Sequence, residues 1–377
     1  MIYLDSAATS LEKPAAVSAA VSAAVMEAMR TMASPGRGAH DPAMRAAECC
    51  YACREKLARL FRAPKAENVV FTFNATHALN LAIGSLVGAG SRVVISGYEH
   101  NSVTRPLHAL GADVRTIDTP LFDPGALIER AARELPGADA AVFTCVSNVF
   151  GYVLPIRELA ALCAENGVPL VLDAAQAAGS QTLDFEALGA EFLAMPGHKG
   201  LLGPQGTGVL VCKNDAKPVL YGGSGSNSME QTMPDFLPDR LEAGTHNVCG
   251  VAGLSAGVDY VLARGAEEIG CHERELLERF CAALADTPGL RLFYSPDPAA
   301  QRSVVSVLPE RIGCEAFGEA LSRGGVAVRT GLHCAPSAHK TAGTSATGTV
   351  RFSFSPFNTP QQIDAAAALC KKILDFA

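Results

Sequence analysis

One lysine lies in a glycine-rich segment whose residue types suit covalent amine chemistry. Lys199 occupies the run Met-Pro-Gly-His-Lys-Gly at 195–200, and a second glycine-rich run fills 202–208. A lysine in a desolvated pocket loses its proton more readily, which makes its amine a nucleophile toward aldehydes. The segment therefore predicts a covalent amine site, with a solvated loop lysine as the ordinary alternative.

An aspartate at the end of an apolar run suits the same chemistry. Asp173 and Gln176 lie in Val-Leu-Asp-Ala-Ala-Gln at 171–176. Burying a carboxylate is costly without a cationic partner, and a protonated pyridine nitrogen would be such a partner. This pairing keeps the ring an electron sink, while Gln176 could hydrogen-bond the ring's phenolic oxygen. The alternative is an aspartate that caps the next helix.

Three more polar residues follow predicted strands. Thr76 lies where a helix would begin, and first-turn N–H groups together with the helix dipole attract phosphate. His100 could stack on a flat ring, and Asn148 could contact a ring oxygen or a substrate carboxylate. A lone threonine here is more often a helix cap, and a lone histidine is more often structural. Only their combination favours a ligand site.

An arginine and a cysteine near the end of the chain add two further functions. Arg351 alternates with apolar strand residues, so its guanidinium fork could bind a carboxylate through two hydrogen bonds. An ordinary ion pair is the alternative. Cys334 lies in Arg-Thr-Gly-Leu-His-Cys-Ala at 329–335, beside His333 and near Arg329. An exposed cysteine near cationic groups can be a reactive thiol, and free thiols are otherwise usually buried.

The elements that must position these residues alternate along the first two thirds of the chain. The βαβ rhythm favours a mainly parallel sheet covered by helices, and such sheets bind ligands at the carboxyl ends of their strands. The predicted strands are Val69–Phe73, Arg92–Ser96, Ala140–Thr144, Pro169–Leu172, Phe192–Met195 and Gly208–Cys212. The predicted helices between them are Ala78–Val87, Ser102–Ala109, Pro124–Glu134 and Ile156–Asn166.

The pattern changes after residue 247 and predicts a smaller α+β domain. Its predicted helices are Gly250–Arg264, Glu267–Ala285, Glu315–Arg323 and Pro360–Phe376, and its predicted strands are Leu290–Phe293, Ser303–Leu308, Val326–Arg329 and Thr349–Ser355. We predict an N-terminal segment at 1–14 associated with this domain, a large domain at 15–250 and the small domain at 251–377. The run Thr330–Thr349, rich in Gly, Ser, Thr and Ala, predicts a mobile surface loop.

Composition limits the class of protein. The chain has 377 residues and a net charge of −7, which favours neither nucleic acid nor an anionic membrane as partner. Residues 15–26 predict an amphipathic helix rather than a signal peptide, and we expect no membrane span. Twelve cysteines without a regular framework suit a reducing cytoplasm. Cys49, Cys50 and Cys53 are expected to be helix cysteines, and no metal site is predicted.

Taken together and in order, these segments resemble the class V aminotransferase family of fold type I pyridoxal 5′-phosphate (PLP) enzymes. Within it they look most like group II (SUF-type) cysteine desulfurases and the related selenocysteine lyases. The resemblance starts at residues 3–10, similar to YLDNAAT, passes through 242–247, similar to EAGTPN, and ends at Arg351 and Phe-Asn-Thr at 357–359. It implies an α/β transferase fold, with a mainly parallel seven-stranded sheet in a large domain and a smaller α+β C-terminal domain.

The resemblance also implies an activity. The chain would be a cytoplasmic homodimer that converts L-cysteine to L-alanine and leaves the sulfur on Cys334 as a persulfide. A sulfur-acceptor protein and a place in iron–sulfur cluster assembly would follow. The implied catalytic residues are Lys199, which would bind PLP covalently and move protons, Cys334 and His100. Selenocysteine lyase activity, another class V reaction such as transamination or epimerisation, and a non-catalytic PLP-binding or sulfur-relay scaffold stay open as alternatives.

The remaining implied roles concern cofactor and substrate binding. Asp173 would pair with the pyridine nitrogen and Gln176 with the ring oxygen. His100 would stack on the ring, Thr76 and His198 would hold the phosphate, and Ala75 would also contact the cofactor. Thr245 would reach the phosphate of the neighbouring subunit. Asn148 would contact the cofactor, and Asn148 and Arg351 would bind the substrate carboxylate. The chain departs from the family pattern at several positions. Pro196 replaces a phosphate-binding serine, Ala75 a threonine, His77 a glutamate and His246 a proline, so the phosphate site is expected to be thinner or rebuilt.

Overall fold

The computed structural model describes residues 1–13, 15–36, 38–213 and 216–376. Pro14 and Ala377, at the ends of two predicted domain ranges, lie outside the described residues. The strands are β1 (Ile2–Tyr3), β2 (Val69–Thr72), β3 (Arg92–Ser96), β4 (Asp113–Ile117), β5 (Ala140–Thr144), β6 (Leu170–Asp173), β7 (Phe192–Pro196), β8 (Gly208–Cys212), β9 (Leu290–Phe293), β10 (Val304–Pro309), β11 (Val326–Ala327), β12 (Arg329–Gly331) and β13 (Thr349–Ser353).

The helices cover the sheets and connect their strands. They are α1 (Ala15–Thr31), α2 (Asp41–Phe61), α3 (Ala75–Leu86), α4 (Asn101–Ala109), α5 (Pro124–Glu134), α6 (Ile156–Glu165), α7 (Phe185–Leu188), α8 (Val248–Arg264), α9 (Ala266–Leu284), α10 (Cys314–Arg323), α11 (Pro336–Thr341) and α12 (Pro360–Asp375). Among the described helices, none has both the length and the apolar character that crossing a membrane requires.

Seven strands form one large sheet in the order β2-β8-β7-β6-β5-β3-β4. β8 pairs antiparallel with both of its neighbours, and the strands from β7 to β4 pair in parallel. Every residue of the central strand β5, Ala-Ala-Val-Phe-Thr, is buried. Helices on both faces of a parallel sheet explain such a continuous apolar run. The mainly parallel seven-stranded sheet that the sequence predicts is confirmed.

Two helices begin directly after strands because polar side chains cap them. The Asn74 side chain accepts a hydrogen bond from the N–H of His77 and so starts α3. The His100 ring accepts one from the N–H of Ser102 at the start of α4. Caps of this kind satisfy first-turn N–H groups that have no partner inside the helix. The first turns of α3 and α4 therefore lie at the carboxyl edge of the large sheet.

The small domain has its own sheet and its own core. Four strands form an antiparallel sheet in the order β12-β13-β10-β9. The N-terminal strand β1 pairs in parallel with β11, and Leu4 is buried in a core with Phe280, Phe317 and Phe352. Asp5 continues this segment as an isolated bridge beside Ser353 of β13. The exact domain boundaries stay a prediction, but the N-terminal residues pack against the small domain.

Three predictions of local structure need correction. The predicted strand Val326–Arg329 is two strands in different sheets, because β11 pairs with β1 and β12 pairs with β13. The edge strand β4 has no counterpart among the predicted elements, and the sequence predicts the long helix α2 only as a helix of unspecified bounds around its three cysteines. Thr330–Thr349 is not a plain surface loop, since it includes α11 and the buried residues His333 and His339. Within the segment, the His333 ring is hydrogen-bonded to the Thr349 hydroxyl and the His339 ring to the Thr344 hydroxyl.

Two other expectations are met. A helix covers residues 15–26 and continues to Thr31. Cys49, Cys50 and Cys53 lie on α2, where the second and third are buried and the first is half-buried, and all three are free thiols. The interpretation of these three as helix cysteines is confirmed.

Candidate active site

A cavity of about 540 Å³ opens at the carboxyl edge of the large sheet. Its walls come from the turns that follow β2, β3, β5, β6 and β7, where the alternating pattern predicted a ligand site. Eight of the predicted cofactor residues line it together, namely Ala75, Thr76, His100, Asn148, Asp173, Gln176, His198 and Lys199. The fold therefore gathers at one place residues that are up to 124 positions apart in the sequence (75 to 199).

Lys199 and Asp173 line the same cavity without touching each other. Asp173 is 3% exposed, and neither residue has an ion-pair partner within 4.0 Å among the described residues. Burial lowers the pKa of Lys199 to about 8, although the charge of Asp173 opposes the shift. Burial raises the pKa of Asp173, against the N–H of Ala175 and the charge of Lys199. The amine is thus readily deprotonated and the carboxylate lacks a cation.

The unpaired carboxylate of Asp173 is the feature of this cavity that PLP would complement. One oxygen of Asp173 accepts a hydrogen bond from the N–H of Ala175 at 2.9 Å, and the other has no partner within the described residues. A buried carboxylate needs a cationic or hydrogen-bonding partner. A protonated pyridine nitrogen would supply one while the aldehyde carbon met Lys199. The donors and the space fit the cofactor.

A chain of hydrogen bonds joins three other residues that line the cavity. The hydroxyls of Thr76 and Ser102 are 2.7 Å apart, and the Ser102 hydroxyl lies 2.9 Å from Nδ1 of His100. Nδ1 also accepts from the N–H of Ser102, so its proton is on Nε2 in the neutral ring. Burial lowers the pKa of His100 to about 4, with the charges of Lys199, Arg351 and Arg105 adding to the effect. The ring is neutral at physiological pH.

Two further polar residues of the cavity are anchored to the N-terminal segment. Gln176 donates from Nε2 to the carbonyl of Ala7 at 3.0 Å. Nδ1 of His198 lies 3.0 Å from the Thr9 hydroxyl, and burial lowers the pKa of His198 to about 4, with the charges of Lys199 and Lys13 adding to the shift. The segment from residue 5 to 10 therefore closes one side of the site.

Arg351 lies behind the cavity rather than in its wall. It is 3% exposed, donates to the carbonyl of Asn148 at 3.0 Å and to Asp5 at 2.9 Å, and leaves Nε without a partner. Arg329 lies directly opposite Arg351 in the β12–β13 register and shares the same carboxylate, at 2.9 Å. Burial lowers the pKa of Arg351, and Asp5 opposes that shift. Two guanidinium groups and one carboxylate leave one positive charge in excess, which suits an incoming carboxylate.

Cys334 is exposed in a groove that shares Thr76 and His100 with the cavity, and its backbone is tightly held. His333 and Cys334 both have left-handed backbone angles, with φ of 49° and 55°, a conformation that is uncommon outside glycine. The side chain of Asn148 donates to the carbonyl of His333 at 2.7 Å, and the N–H of Asn101 donates to the carbonyl of Cys334 at 2.8 Å. The thiol-bearing turn is thus attached to two segments that line the cavity.

Thr245 is the one predicted cofactor residue that lies elsewhere. It lines a separate surface pocket of about 520 Å³ together with Phe73, His77 and His246. Nε2 of His246 lies 2.5 Å from the buried carboxylate of Glu242, so the histidine that replaces the family's proline has a partner of its own. A contact of Thr245 with the cofactor of a second subunit stays a prediction.

Sequence reasoning missed two residues of the site. Ser102 is predicted only as the first residue of a helix, and its position two residues after His100 was the available signal. Asp5 lies in the N-terminal segment that carried the family resemblance, yet no feature of the sequence links it to Arg329 and Arg351, more than 300 residues away.

Comparison with known proteins identifies the family. The sequence profile of the class V aminotransferases matches residues 2–366. The chain belongs to this family. The chain is similar to a probable cysteine desulfurase of Methanothermobacter thermautotrophicus, which is 32% identical over 99% of this chain and 94% of the relative. A cysteine desulfurase of Klebsiella pneumoniae strain 342 is 33% identical over 99% of this chain and 93% of the relative.

Solved structures of the family share the whole fold. The apo cysteine desulfurase of Thermococcus onnurineus NA1 has a TM-score of 0.90 at 29% identity and covers 100% of this chain and 95% of its own. The Escherichia coli cysteine desulfurase CsdA has a TM-score of 0.86 at 28% identity, again over 100% and 95% of the two chains. Members of the family depend on PLP, in agreement with the unpaired Asp173 and the low pKa of Lys199.

Proposed function

We propose that this chain is a PLP-dependent cysteine desulfurase that converts L-cysteine to L-alanine and takes the sulfur onto Cys334. One observation carries the proposal. A readily deprotonated amine, Lys199, lies in the same cavity as an unpaired buried carboxylate, Asp173, and an exposed thiol, Cys334, lines the groove that adjoins this cavity. The amine and the carboxylate suit PLP, and the thiol gives the site a group that can accept sulfur.

The polar residues of the cavity have distinct parts in holding PLP. Lys199 would bind its aldehyde carbon, Asp173 its ring nitrogen and Gln176 its ring oxygen, with His100 against the ring. The first turn of α3 offers the hydroxyl of Thr76 and free N–H groups to the phosphate, as helix N-termini do for anions. Thr245 of a second subunit would add a further hydroxyl. When bound, PLP supplies an electron sink for the charge that develops at the substrate Cα.

The family pattern loses a phosphate hydroxyl at Pro196, and Ser102 is well placed to replace it. Its hydroxyl lies 2.7 Å from that of Thr76 and lines the same cavity. The single O–H of Ser102 lies 2.9 Å from Nδ1 of His100 in this structure, and it would turn to donate to the phosphate when PLP is bound. Ser102 would therefore restore part of the phosphate site.

Proton transfer belongs to Lys199. With a pKa of about 8, the freed amine is partly unprotonated near neutral pH and can accept the Cα proton of the substrate. A general base whose pKa lies near the working pH is the most effective one, and such a base contributes about 10²–10⁴-fold in rate. The excess positive charge at Arg351 would bind the substrate carboxylate, with Asn148 beside it.

Sulfur transfer belongs to Cys334. Its thiolate would attack the substrate sulfur while the bond from that sulfur to the substrate Cβ breaks. The products are alanine and a persulfide on Cys334.

A homodimer suits the surface around Thr245. Phe73, which lines the Thr245 pocket, is 55% exposed, and Tyr221, whose neighbour Gly222 lies close to Ala243 of the same pocket, is 76% exposed. Apolar groups exposed at this level are expected under a partner subunit. Light scattering of the purified protein would give the mass, and a monomer at micromolar concentration would contradict this part. A reducing cytoplasm and a place in iron–sulfur cluster assembly complete the proposal.

Two variants test the activity. Lys199→Ala should remove the visible absorption band of the lysine-bound cofactor, because no other amine lines the cavity within the described residues. Cys334→Ala should keep that band but form no persulfide, as measured by mass spectrometry after L-cysteine is added. Cys271→Ala is the matched control, since Cys271 is the other exposed cysteine and lies on α9.

The outcomes separate the alternatives. If Cys334→Ala released sulfide from L-cysteine at the full rate, Cys334 would not be the sulfur acceptor. Pyruvate or inverted alanine without a persulfide would indicate another class V reaction. Faster turnover of L-selenocysteine than of L-cysteine, with both measured on the wild type, would indicate a selenocysteine lyase.

A further inference from the structure

An open groove of about 740 Å³ lies beside the cofactor cavity and has Cys334 at its edge. It runs between α3 and α4, and its relevant lining residues are Thr76, Asn80, His100, Arg105, Ala109 and Cys334. We call this space the thiol groove. Thr76 and His100 also line the cofactor cavity, so the two spaces adjoin. A molecule in the thiol groove can therefore reach the sulfur of Cys334 without entering the cavity.

The thiol groove is positively charged although the chain has a net charge of −7. No carboxylate lines it, and Arg105, which is exposed, forms no ion pair within the described residues. The field of Arg105 extends to the cavity, because it adds to burial and to the charges of Lys199 and Arg351 in lowering the pKa of His100. Arg105 is thus an available cation beside the mouth of the site.

A second cation lies on the other side of the thiol. The pKa of Arg329 is raised mainly by its hydrogen bonds to Asp5, and the charge of Cys334 adds to that shift. Arg329 is paired with Asp5, whereas Arg105 has no such partner. Arg105 is therefore the cation that can bind a new carboxylate.

The groove also offers a polar acceptor. Asn80 donates from Nδ2 to the carbonyl of Thr76 at 2.8 Å, and its Oδ1 has no partner within the described residues. An ammonium group could donate to that oxygen. Arg105, Asn80 and Cys334 together match the carboxylate, the amine and the thiol of one small molecule.

We infer that the thiol groove binds a small thiol bearing a carboxylate, which Arg105 holds while the thiol takes sulfur from Cys334. The inference rests on the proposed function. The acceptor thiolate attacks the outer sulfur of the Cys334 persulfide, and the sulfur–sulfur bond breaks. Cys334 leaves as a thiolate and takes up the proton that the acceptor lost. The acceptor becomes the persulfide, and no oxidant or reductant is needed because sulfur passes between two thiols.

The size of the recognition site favours a small acceptor. One arginine and one thiol match two groups on one molecule, whereas a folded protein acceptor would use a broad surface. If the natural acceptor were a protein, small thiols should discharge the persulfide at rates that do not depend on their charge. The charge preference of small reagents therefore decides between the two.

The first experiment does not depend on the proposed reaction. The PLP-loaded protein is alkylated with iodoacetate, an anion, or with iodoacetamide, its neutral analogue, and Cys334 is followed by peptide mass spectrometry. Each rate is divided by that of a free thiol in the same solution. We expect the normalised rate with iodoacetate to be about fivefold the rate with iodoacetamide, as one nearby cation would give. Arg105→Ala should bring the ratio to about one, and Arg105→Lys should keep most of it.

Two controls belong to the same experiment. Cys271, exposed on α9, is an internal reference whose ratio should not respond to Arg105→Ala. Arg130→Ala removes an equally exposed arginine from α5 and should leave the Cys334 ratio unchanged. A Cys334 ratio that is the same in the wild type and in Arg105→Ala would overturn the inference.

The second experiment tests the acceptor. The wild type and Arg105→Ala are first loaded with one persulfide by L-cysteine. The rates of discharge by 3-mercaptopropionate and by neutral 2-mercaptoethanol are then compared after the same normalisation. A preference for the anionic thiol that disappears in Arg105→Ala supports the inference, and equal rates in the wild type contradict it. If no persulfide forms while the alkylation preference is present, the proposed function fails and the anion-binding groove stands.

Discussion

The carboxylate of Asp5 holds two arginines of neighbouring strands, and removing its charge should measurably weaken the fold. Asp5→Asn keeps the shape of the side chain but leaves the guanidiniums of Arg329 and Arg351 opposite each other without a counter-charge. Like charges directly opposite in an antiparallel pair are destabilising. Arg351 is 3% exposed, so water cannot replace the lost carboxylate.

The size of the effect follows from this burial. Breaking a buried ion pair by removing one partner costs about 3–5 kcal/mol, because an uncompensated charge is left inside. The entropy of unfolding of a 377-residue chain is about 0.8 kcal/mol/K. The two values predict a fall in melting temperature of about 4–6 °C for Asp5→Asn.

Differential scanning calorimetry of the PLP-loaded protein would measure the shift. The matched control is Asp364→Asn, because Asp364 accepts two hydrogen bonds from Arg279, at 2.6 and 2.7 Å, in an exposed position. Exposed ion pairs contribute little to stability even when their geometry is good. Equal melting temperatures for the two variants would refute the argument that the buried position of Asp5 matters.

Three further predictions address other residues. Burial raises the pKa of Glu273 to about 8, against Ser303 and Arg302, so this group destabilises the fold progressively as pH rises from about 4.5 to 8. Glu273→Gln should remove that fall, and urea unfolding at about pH 5 and 8 would detect a gain over wild type confined to the higher pH. Ser102→Ala should weaken PLP binding about tenfold in a fluorescence titration, for the loss of one hydrogen bond to a charged group, whereas equal affinity would exclude Ser102 from the phosphate site. Gly151→Ala, at φ +66° with a Cβ 2.2 Å from the Val304 carbonyl, should cost about 3 kcal/mol in urea unfolding, while Gly125→Ala in α5 should not destabilise.

Much of the large domain could be predicted from the sequence because burial on both faces makes its strands continuous apolar runs. β5 is such a run, and its predicted bounds agree with the structure. β4, Asp-Val-Arg-Thr-Ile, could not be found because it lies at the edge of the sheet and exposes polar side chains. α2 carries four arginine and lysine residues among small side chains, which hides its buried stripe in the sequence.

The residues of the candidate site likewise include some that could be predicted from the sequence and some that could not. Lys199, Asp173, Thr76 and His100 could be predicted because each follows a strand whose end must reach the same edge of the sheet. Asp5 could not, since its importance comes from contacts made across most of the chain. Nor could the order of Thr330–Thr349, since Gly, Ser and Thr residues are typical of loops and only the folded chain shows the two histidines buried among them.

The hydrogen bond from the N–H of Asn101 to the carbonyl of Cys334 joins the sulfur-bearing turn to the first residue of α4. Swinging that turn outward would strip the helix of a cap and disturb the imidazole of His100, which precedes it. A sulfur atom bound to Cys334 can consequently move only as far as rotation of the Cys334 side chain allows. Whatever receives it has to come to the enzyme, so the rate of unloading should rise with the concentration of the recipient.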